Sequence, residues 1–418
     1  LTVLALVGGL AGTLWQARRA ERRYREVRQL TNSYLFEVHD AIRDLPGSTA
    51  ARRVLVGRAL EYLDRLSREI SDDRQLQLEL AAAYVQIGDV QGKPYMPNLG
   101  ESAHALASYA RAVEIAAPLA AREHGAASAA RRVLSQAEEN IGAVRSRLNQ
   151  CQEAARSHRR SLAIRQALLK EDPAHAADWS RGLAANHLGL GDALVSASRG
   201  QPAADARHAA LEEYRRALPL CERLHAAHPD DLPGAILLVK ACGRIASELG
   251  ELGAQRHDVE AFEESAVFHR RALETCEAIL RSDPTSTSCK RRLADELMAG
   301  AHGLAMSRSR LEDAAEYCQR ALELTESLAG LDPANAEARQ DLSSAHFVAG
   351  LVCQARGDAP AAAAHYRQSL AILEPLVAEH PDNAETAFDL DRVRRSLRDA
   401  APAGEAAVRP GDRVACEP

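Results

Sequence analysis

His225 and His228 stand three residues apart, an interval at which two imidazoles on one helical turn hold a metal ion together. No third ligand follows at a matching interval and Pro229 comes at once, so the pair reads as the solvated end of a helix and no metal is expected. Thiol chemistry has eight cysteines to draw on, Cys151, Cys221, Cys242, Cys276, Cys289, Cys318, Cys353 and Cys416, yet none stands in a C-x-x-C arrangement. All but Cys289 and Cys416 fall in segments of helical pattern, where a free cysteine acts as a small hydrophobe. Carboxylates lie along helix faces with no two marked as a matched acid and base. A glycine-rich phosphate loop, H-E-x-x-H, G-x-S-x-G and the set of kinase catalytic motifs are absent, so neither an enzyme nor a cofactor is expected. The net charge of −6 is mild and interspersed, which argues against a nucleic-acid partner. Function is left to surfaces, and so to the elements that shape them.

One stretch, Glu316-Tyr317-Cys318-Gln319-Arg320-Ala321-Leu322-Glu323-Leu324, returns in close copies along the chain. The copies align on Val113, Leu162, Leu218, Leu273, Leu322 and Leu370. One residue earlier stands Ala112, Ser161, Ala217, Ala272, Ala321 or Ser369, and eight earlier Ala105, Ala154, Ala210, Ser265, Ala314 or Ala362, always small. Four earlier come Tyr109, His158, Tyr214, His269, Cys318 and Tyr366. Offsets of one, four and eight share one stripe of a helix, where small residues admit a second helix and the larger group fills the gap. Pro173, Pro229, Pro284, Pro333 and Pro381 follow five of the six copies, and a proline ends the helix before it. With 4% aromatic residues and much alanine, the composition fits helix-on-helix packing. A repeated helix pair that packs only on its neighbours also lets a 418-residue chain fold without one large core.

These residues resemble the tetratricopeptide repeat (TPR) family. Its first-helix glycine and the alanine twelve positions later match Gly142 with Ala154 and Gly350 with Ala362; Leu80-Ala81-x-x-Tyr84-x-x-Ile87-Gly88-Asp89 matches the first helix and its turn. The copies lie about 48 to 56 residues apart against about 34 in the usual repeat, so the second helices are expected to run longer. The resemblance implies an all-α fold: an α-solenoid of about six TPR-like pairs over residues 79–383, with a capping helix at 384–400 whose Arg392, Arg394, Arg395 and Arg398 form a polar outer face. The tail, 401–418, reads as disordered. In the family the first helices line a concave side, which implies that Gln86, Glu139, Asn140, Arg147, Phe347, Leu351 and Gln354 point there, with Asn186 a further candidate. Amides beside apolar patches suit a protein or peptide ligand in extended form. The first turn, Gly88 to Ser102, is oversized. It either tucks over the end of the solenoid or meets a partner through residues such as Tyr95 and Asn98.

Residues 1–15 carry no charge and end at Trp15 before an arginine-rich flank, so they are read as the C-terminal part of a transmembrane helix. Residues 16–75 are expected to form a juxtamembrane helical hairpin broken at Pro46-Gly47, with Ser48 or Thr49 capping its second arm, which carries Val56, Ala59, Leu63, Leu66 and Ile70. The same stripes would also serve a coiled-coil homodimer. The order of membrane span, arginine-rich helix, the segment Tyr34 to Thr49, the run Gly88-Asp89-Val90-Gln91-Gly92 and repeats is similar to the C-terminal region of bacterial TPR-containing serine/threonine protein kinases. That resemblance implies a single-pass membrane protein with extracytoplasmic repeats, although six arginines against two glutamates in 16–28 would by themselves place this flank in the cytoplasm. It implies a non-catalytic sensor that binds a protein or peptide; a membrane-tethered assembly scaffold and a repeat-built enzyme are the alternatives.

Overall fold

The computed structural model describes residues 48–69, 73–94, 98–121, 127–197, 204–256, 258–308, 310–381 and 383–400. The transmembrane reading of 1–15, the first arm of the hairpin and the tail reading of 401–418 lie outside them, as does Tyr95. Every regular element among the described residues is helical. After α1 (Thr49–Glu69) come six consecutive pairs: α2 (Arg74–Gly92) with α3 (Ser102–Ala120), α4 (Ala127–Arg147) with α5 (Cys151–Glu171), α6 (Ala176–Ala197) with α7 (Ala204–Ala227), α8 (Leu232–Arg256) with α9 (Val259–Ser282), α10 (Thr287–Ser307) with α11 (Leu311–Leu331), and α12 (Ala336–Ala355) with α13 (Ala359–Glu379). A last helix, α14 (Ala384–Ala400), lies against α13. Each helix packs on its chain neighbours and each first helix also meets the next first helix, which is the contact pattern of a solenoid. Among the described residues no helix is long and apolar enough to cross a membrane.

The stripe of small residues sits at the helix crossings. Ala154, Ala210, Ala314 and Ala362 are wholly buried, as are Ala112, Ser161, Ala217, Ala272, Ala321 and Ser369. A side chain larger than these would push the helices apart. In four of the six pairs the space they leave is filled by a ring from the residue four before the anchor, resting on a glycine of the first helix: Tyr109 on Gly88, His158 on Gly142, Tyr214 on Gly191 and Tyr366 on Gly350. The three tyrosines donate their hydroxyl to that same helix, Tyr109 to Asp89 Oδ1 at 2.7 Å, Tyr214 to Asp192 Oδ1 at 2.9 Å and Tyr366 to Gln354 Oε1 at 2.9 Å. Tyr84 does the same to Asp64 on α1, 2.9 Å away, and Val56, Ala59, Leu63 and Leu66 bury the face of α1 that lies on α2. The predicted prolines fall just past α5, α7, α9, α11 and α13. Cys289, not read as helical from the sequence, is inside α10 and buried, and the seven described cysteines are all free thiols.

The array closes on itself. Of the two residues expected to cap α1, Ser48 stands just before it and its carbonyl accepts from Arg52 N–H at 2.9 Å, while the Thr49 hydroxyl donates to Asp332 Oδ2 at 2.5 Å, across 283 positions of sequence. The long first turn settles on the last pair: Asn98, buried, donates to the Lys93 carbonyl at 2.9 Å and reaches Glu337 Oε2 at 3.4 Å. Gly100 takes a φ of +77°, and a Cβ there would stand 2.8 Å from the His380 imidazole, so glycine suits both the backbone and the close approach.

Candidate functional site

Closure leaves a cavity of about 360 Å³ on the inner side, walled by four successive first helices, α4, α6, α8 and α10, with Glu385 of α14 completing it. Each helix contributes side chains three and four apart: Glu139, Asn140, Ala143 and Arg147 from α4; Ala185, Gly189, Asp192 and Ser196 from α6; Ile236, Lys240, Arg244 and Ser247 from α8; Ser288, Arg291 and Arg292 from α10. Their opposite faces carry the apolar packing, so the inner faces are free to be polar.

Charges in this wall are held in pairs. Asp192 meets Arg244 Nε at 2.8 Å and Lys240 Nζ at 3.5 Å; burial works to raise its pKa, but Arg244 and Lys240 outweigh that and hold it at about 2. Burial lowers the pKa of Lys240 in spite of Asp192. Arg291 meets Asp341 at 2.6 Å, yet burial, with Glu337 and Asp295 close by, raises the Asp341 carboxyl above the ordinary carboxylate range. Glu139 is desolvated as well, but Arg165 and Lys93 keep its pKa below the ordinary carboxylate value. Lys93 in turn bonds Asp89 at 3.1 Å. His158 has no carboxylate partner: Ala143 follows Gly142 where Asp89 follows Gly88 and Asp192 follows Gly191. The Asn186 amide donates to Ser161 Oγ and to the Gly182 carbonyl, both at 2.9 Å, so its oxygen faces His158 Nδ1 at 3.2 Å. His158 is therefore protonated on Nδ1, and Nε2 is a buried acceptor without a partner. Burial lowers its pKa.

Arg147 joins the two ends of the array. Its guanidinium grips Glu337 with two hydrogen bonds, 2.5 and 2.8 Å, and forms an ion pair with Glu385 at 3.1 Å. Glu337 is only 3% exposed, a setting in which a carboxylate needs a cation beside it. Beyond this group lies a second cavity of about 440 Å³, lined by Asn149, Cys151, Ala384 and Phe388, which shares Ser146, Arg147, Ser196 and Glu385 with the first.

Of the residues the TPR resemblance pointed to, the structure brings Glu139, Asn140 and Arg147 together on the cavity wall. Asn140 is nearly enclosed, donating to Asp89 Oδ1 at 2.7 Å and accepting from Gln136 at 3.1 Å. Gln86 is exposed but does not reach this cavity. Asn186 is wholly buried between α5 and α6. Phe347 and Leu351 lie under α14, which occupies the place a further repeat would take; Arg392, expected on its outer face, stacks on Phe347 with its guanidinium 4.3 Å from the ring centre. Gln354 is exposed and spends its oxygen on Tyr366. Asn98 turns inward to the last pair. The sequence reading missed Asp192, Lys240, Arg244, Arg291 and Arg292. The signal was a polar run three and four apart on α8, Lys240, Arg244, Ser247, and the Gly191-Asp192 pair that repeats Gly88-Asp89. Among the described residues no group of three or more histidines, cysteines and carboxylates is placed to hold a metal ion.

These features define the described residues as an all-helical, solenoid-like repeat array whose inner cavity combines charged and apolar side chains. No family model matches the chain's sequence, and the comparison with curated proteins gave no match. Among solved structures it is similar to BtubC (BKLC) from P. vanneervenii, with a TM-score of 0.39 and 18% identity over 75% of this chain and 95% of that one. It is also similar to a Rap protein complexed with competence and sporulation factor, with a TM-score of 0.36 and 11% identity over 90% of this chain and 99% of that one. Likenesses this distant do not carry a function across.

Proposed function

We propose that the chain is a non-catalytic interaction module that takes a partner protein or extended peptide on its inner wall, and that it serves as the sensor region of a membrane-anchored bacterial serine/threonine kinase. The observation that carries the first half is the inner wall itself: four successive helices turn polar side chains and apolar ones such as Ile236 and Leu237 onto one cavity. Paired charges and amides answer a peptide backbone, and the apolar positions its side chains. The kinase half rests on the order of segments in the sequence, from the apolar residues 1–15 through the arginine-rich stretch to the repeats. In this reading the repeats lie outside the cytoplasm, and a ligand that prefers one curvature of the array shifts the spacing of the membrane helices.

The test is autophosphorylation of the kinase-bearing protein with and without residues 79–400. A change in basal activity or in dimerisation on deletion is expected; equal activity and equal dimerisation would sink signalling through the array. Protease treatment of intact cells adds the side of the membrane, with cleavage of the repeats from outside expected.

A further inference from the structure

Arg147 and Glu385, with Ser146 and Ser196, line both inner cavities and stand between them. The joint they belong to is polar, in contrast to the apolar seams between helix pairs. The core that includes α1 to α4 and the core that includes α12 to α14 have no member in common, and the contacts between these ends described above are Thr49 with Asp332, Asn98 with Glu337, Arg147 with Glu337 and Glu385, and Gly100 against His380. An apolar seam loses its whole stabilisation when opened to water, whereas a charged joint exchanges its partners for water or for a ligand's polar groups. Glu385 is more accessible than Glu337, with its side chain 26% exposed against 3%, so of these two carboxylates it is the one released first.

We propose that the Arg147–Glu385 pair is a gate on the inner wall: closed, it divides the trough, and when an extended peptide lies across both cavities Glu385 swings clear while Arg147 keeps its two hydrogen bonds to the buried Glu337. This rests on the peptide-binding reading above. With the gate open, Ile236 and Leu237 stand at one end of a continuous trough and Phe388 at the other, as seats for two apolar side chains of one peptide. A carbonyl oxygen or a carboxylate of the peptide then takes the place of Glu385 beside Arg147. The closed chain binds more weakly by the fraction of time the gate is shut.

The experiment uses the whole chain, immobilised, and a pool of N-acetylated random hexapeptides whose retention is measured by mass spectrometry. Glu385→Gln, which loosens the gate and keeps Arg147 for the ligand, is expected to retain about tenfold more of the pool. A second measurement needs no substitution at the gate: the Arg147 Nε–H resonance of the unmodified chain, identified by its loss in Arg147→Lys, is expected to shift and lose its protection when the pool is added. If the pool binds both chains equally and this resonance stays protected, the gate is overturned while the peptide-binding reading stands. If neither chain retains any peptide, the peptide-binding reading falls and the gate with it.

Discussion

The ring of Tyr109 lies across the α-carbon of Gly88, so close that a methyl group on Gly88 would stand 2.5 Å from the ring carbon Cε1. Beside it the Tyr109 hydroxyl reaches the next residue, Asp89, and the same carboxylate collects the Asn140 amide and the Lys93 ammonium. One glycine thus fixes how closely α3 approaches α2 and where the inner polar side chains hang.

Gly88→Ala therefore overfills the crossing and is expected to cost about 1–3 kcal/mol. Gly57, in the middle of α1, has open space where its Cβ would be, and there the same change should stabilise by up to about 1 kcal/mol through helix propensity. Thermal denaturation of the two variants should move in opposite directions. Equal shifts would mean that the ring contact sets nothing.

Asn186→Ala separates packing from binding. Its amide satisfies Ser161, Gly182 and His158 at a wholly buried site, so its loss is expected to cost about 2 kcal/mol in denaturant unfolding. Retention of peptide by the folded variant should stay as it is in the unmodified chain, because Asn186 does not line the cavity. A drop in retention with unchanged stability would reverse the assignment.

Glu296 gives a pH dependence. It is buried on α10 against Gly243, and burial pushes its pKa from the ordinary 4.5 up to about 7. The folded chain thus holds a proton there that the unfolded chain has already lost between about pH 4.5 and 7, so this group's contribution falls as pH rises through that window. Glu296→Gln removes the penalty. The variant should match the unmodified chain near pH 4.5 and exceed it by about 2–3 kcal/mol at pH 8. A difference that does not vary with pH would contradict the charged, desolvated state assigned to Glu296.

The buried thiols should be inert in the native protein. Burial pushes Cys221 and Cys318 up to about 12 and Cys242 up to about 11, and it raises Cys276 as well. Iodoacetamide at pH 8 is expected to leave these four unmodified in the folded chain and to label them in guanidinium, as read by peptide mass mapping. Native labelling of Cys242 would show that α8 and α9 separate readily.

The helix pairs were legible in the sequence because their determinants are local. Ala154, Ala210, Ala314 and Ala362 repeat at fixed offsets from their anchors, and a proline follows each long helix except the first. The inner wall was legible only where a glycine marks the first helix, as Gly142 does for Glu139, Asn140 and Arg147. On α10 the position twelve before Ala314 is His302, and on α8 Gly253 leads to Ser265 rather than to an alanine, so Lys240, Arg244, Arg291 and Arg292 went unread. Phe347 and Leu351 were misplaced because an interior repeat and a last repeat share one pattern, and only the position of α14 distinguishes them. The joint from Arg147 to Glu337 spans 190 positions and has no periodic signature at all.

A stacked array is ordinarily as strong as each unit's two neighbours make it, and its extremities loosen first. Here the start of α1 is hydrogen-bonded to the link between the fifth and sixth pairs, so neither extremity stands alone. Damage to the last pair would be felt at Thr49, and trimming the chain from one side would weaken the other. Melting should then run as a single event rather than a progressive fraying.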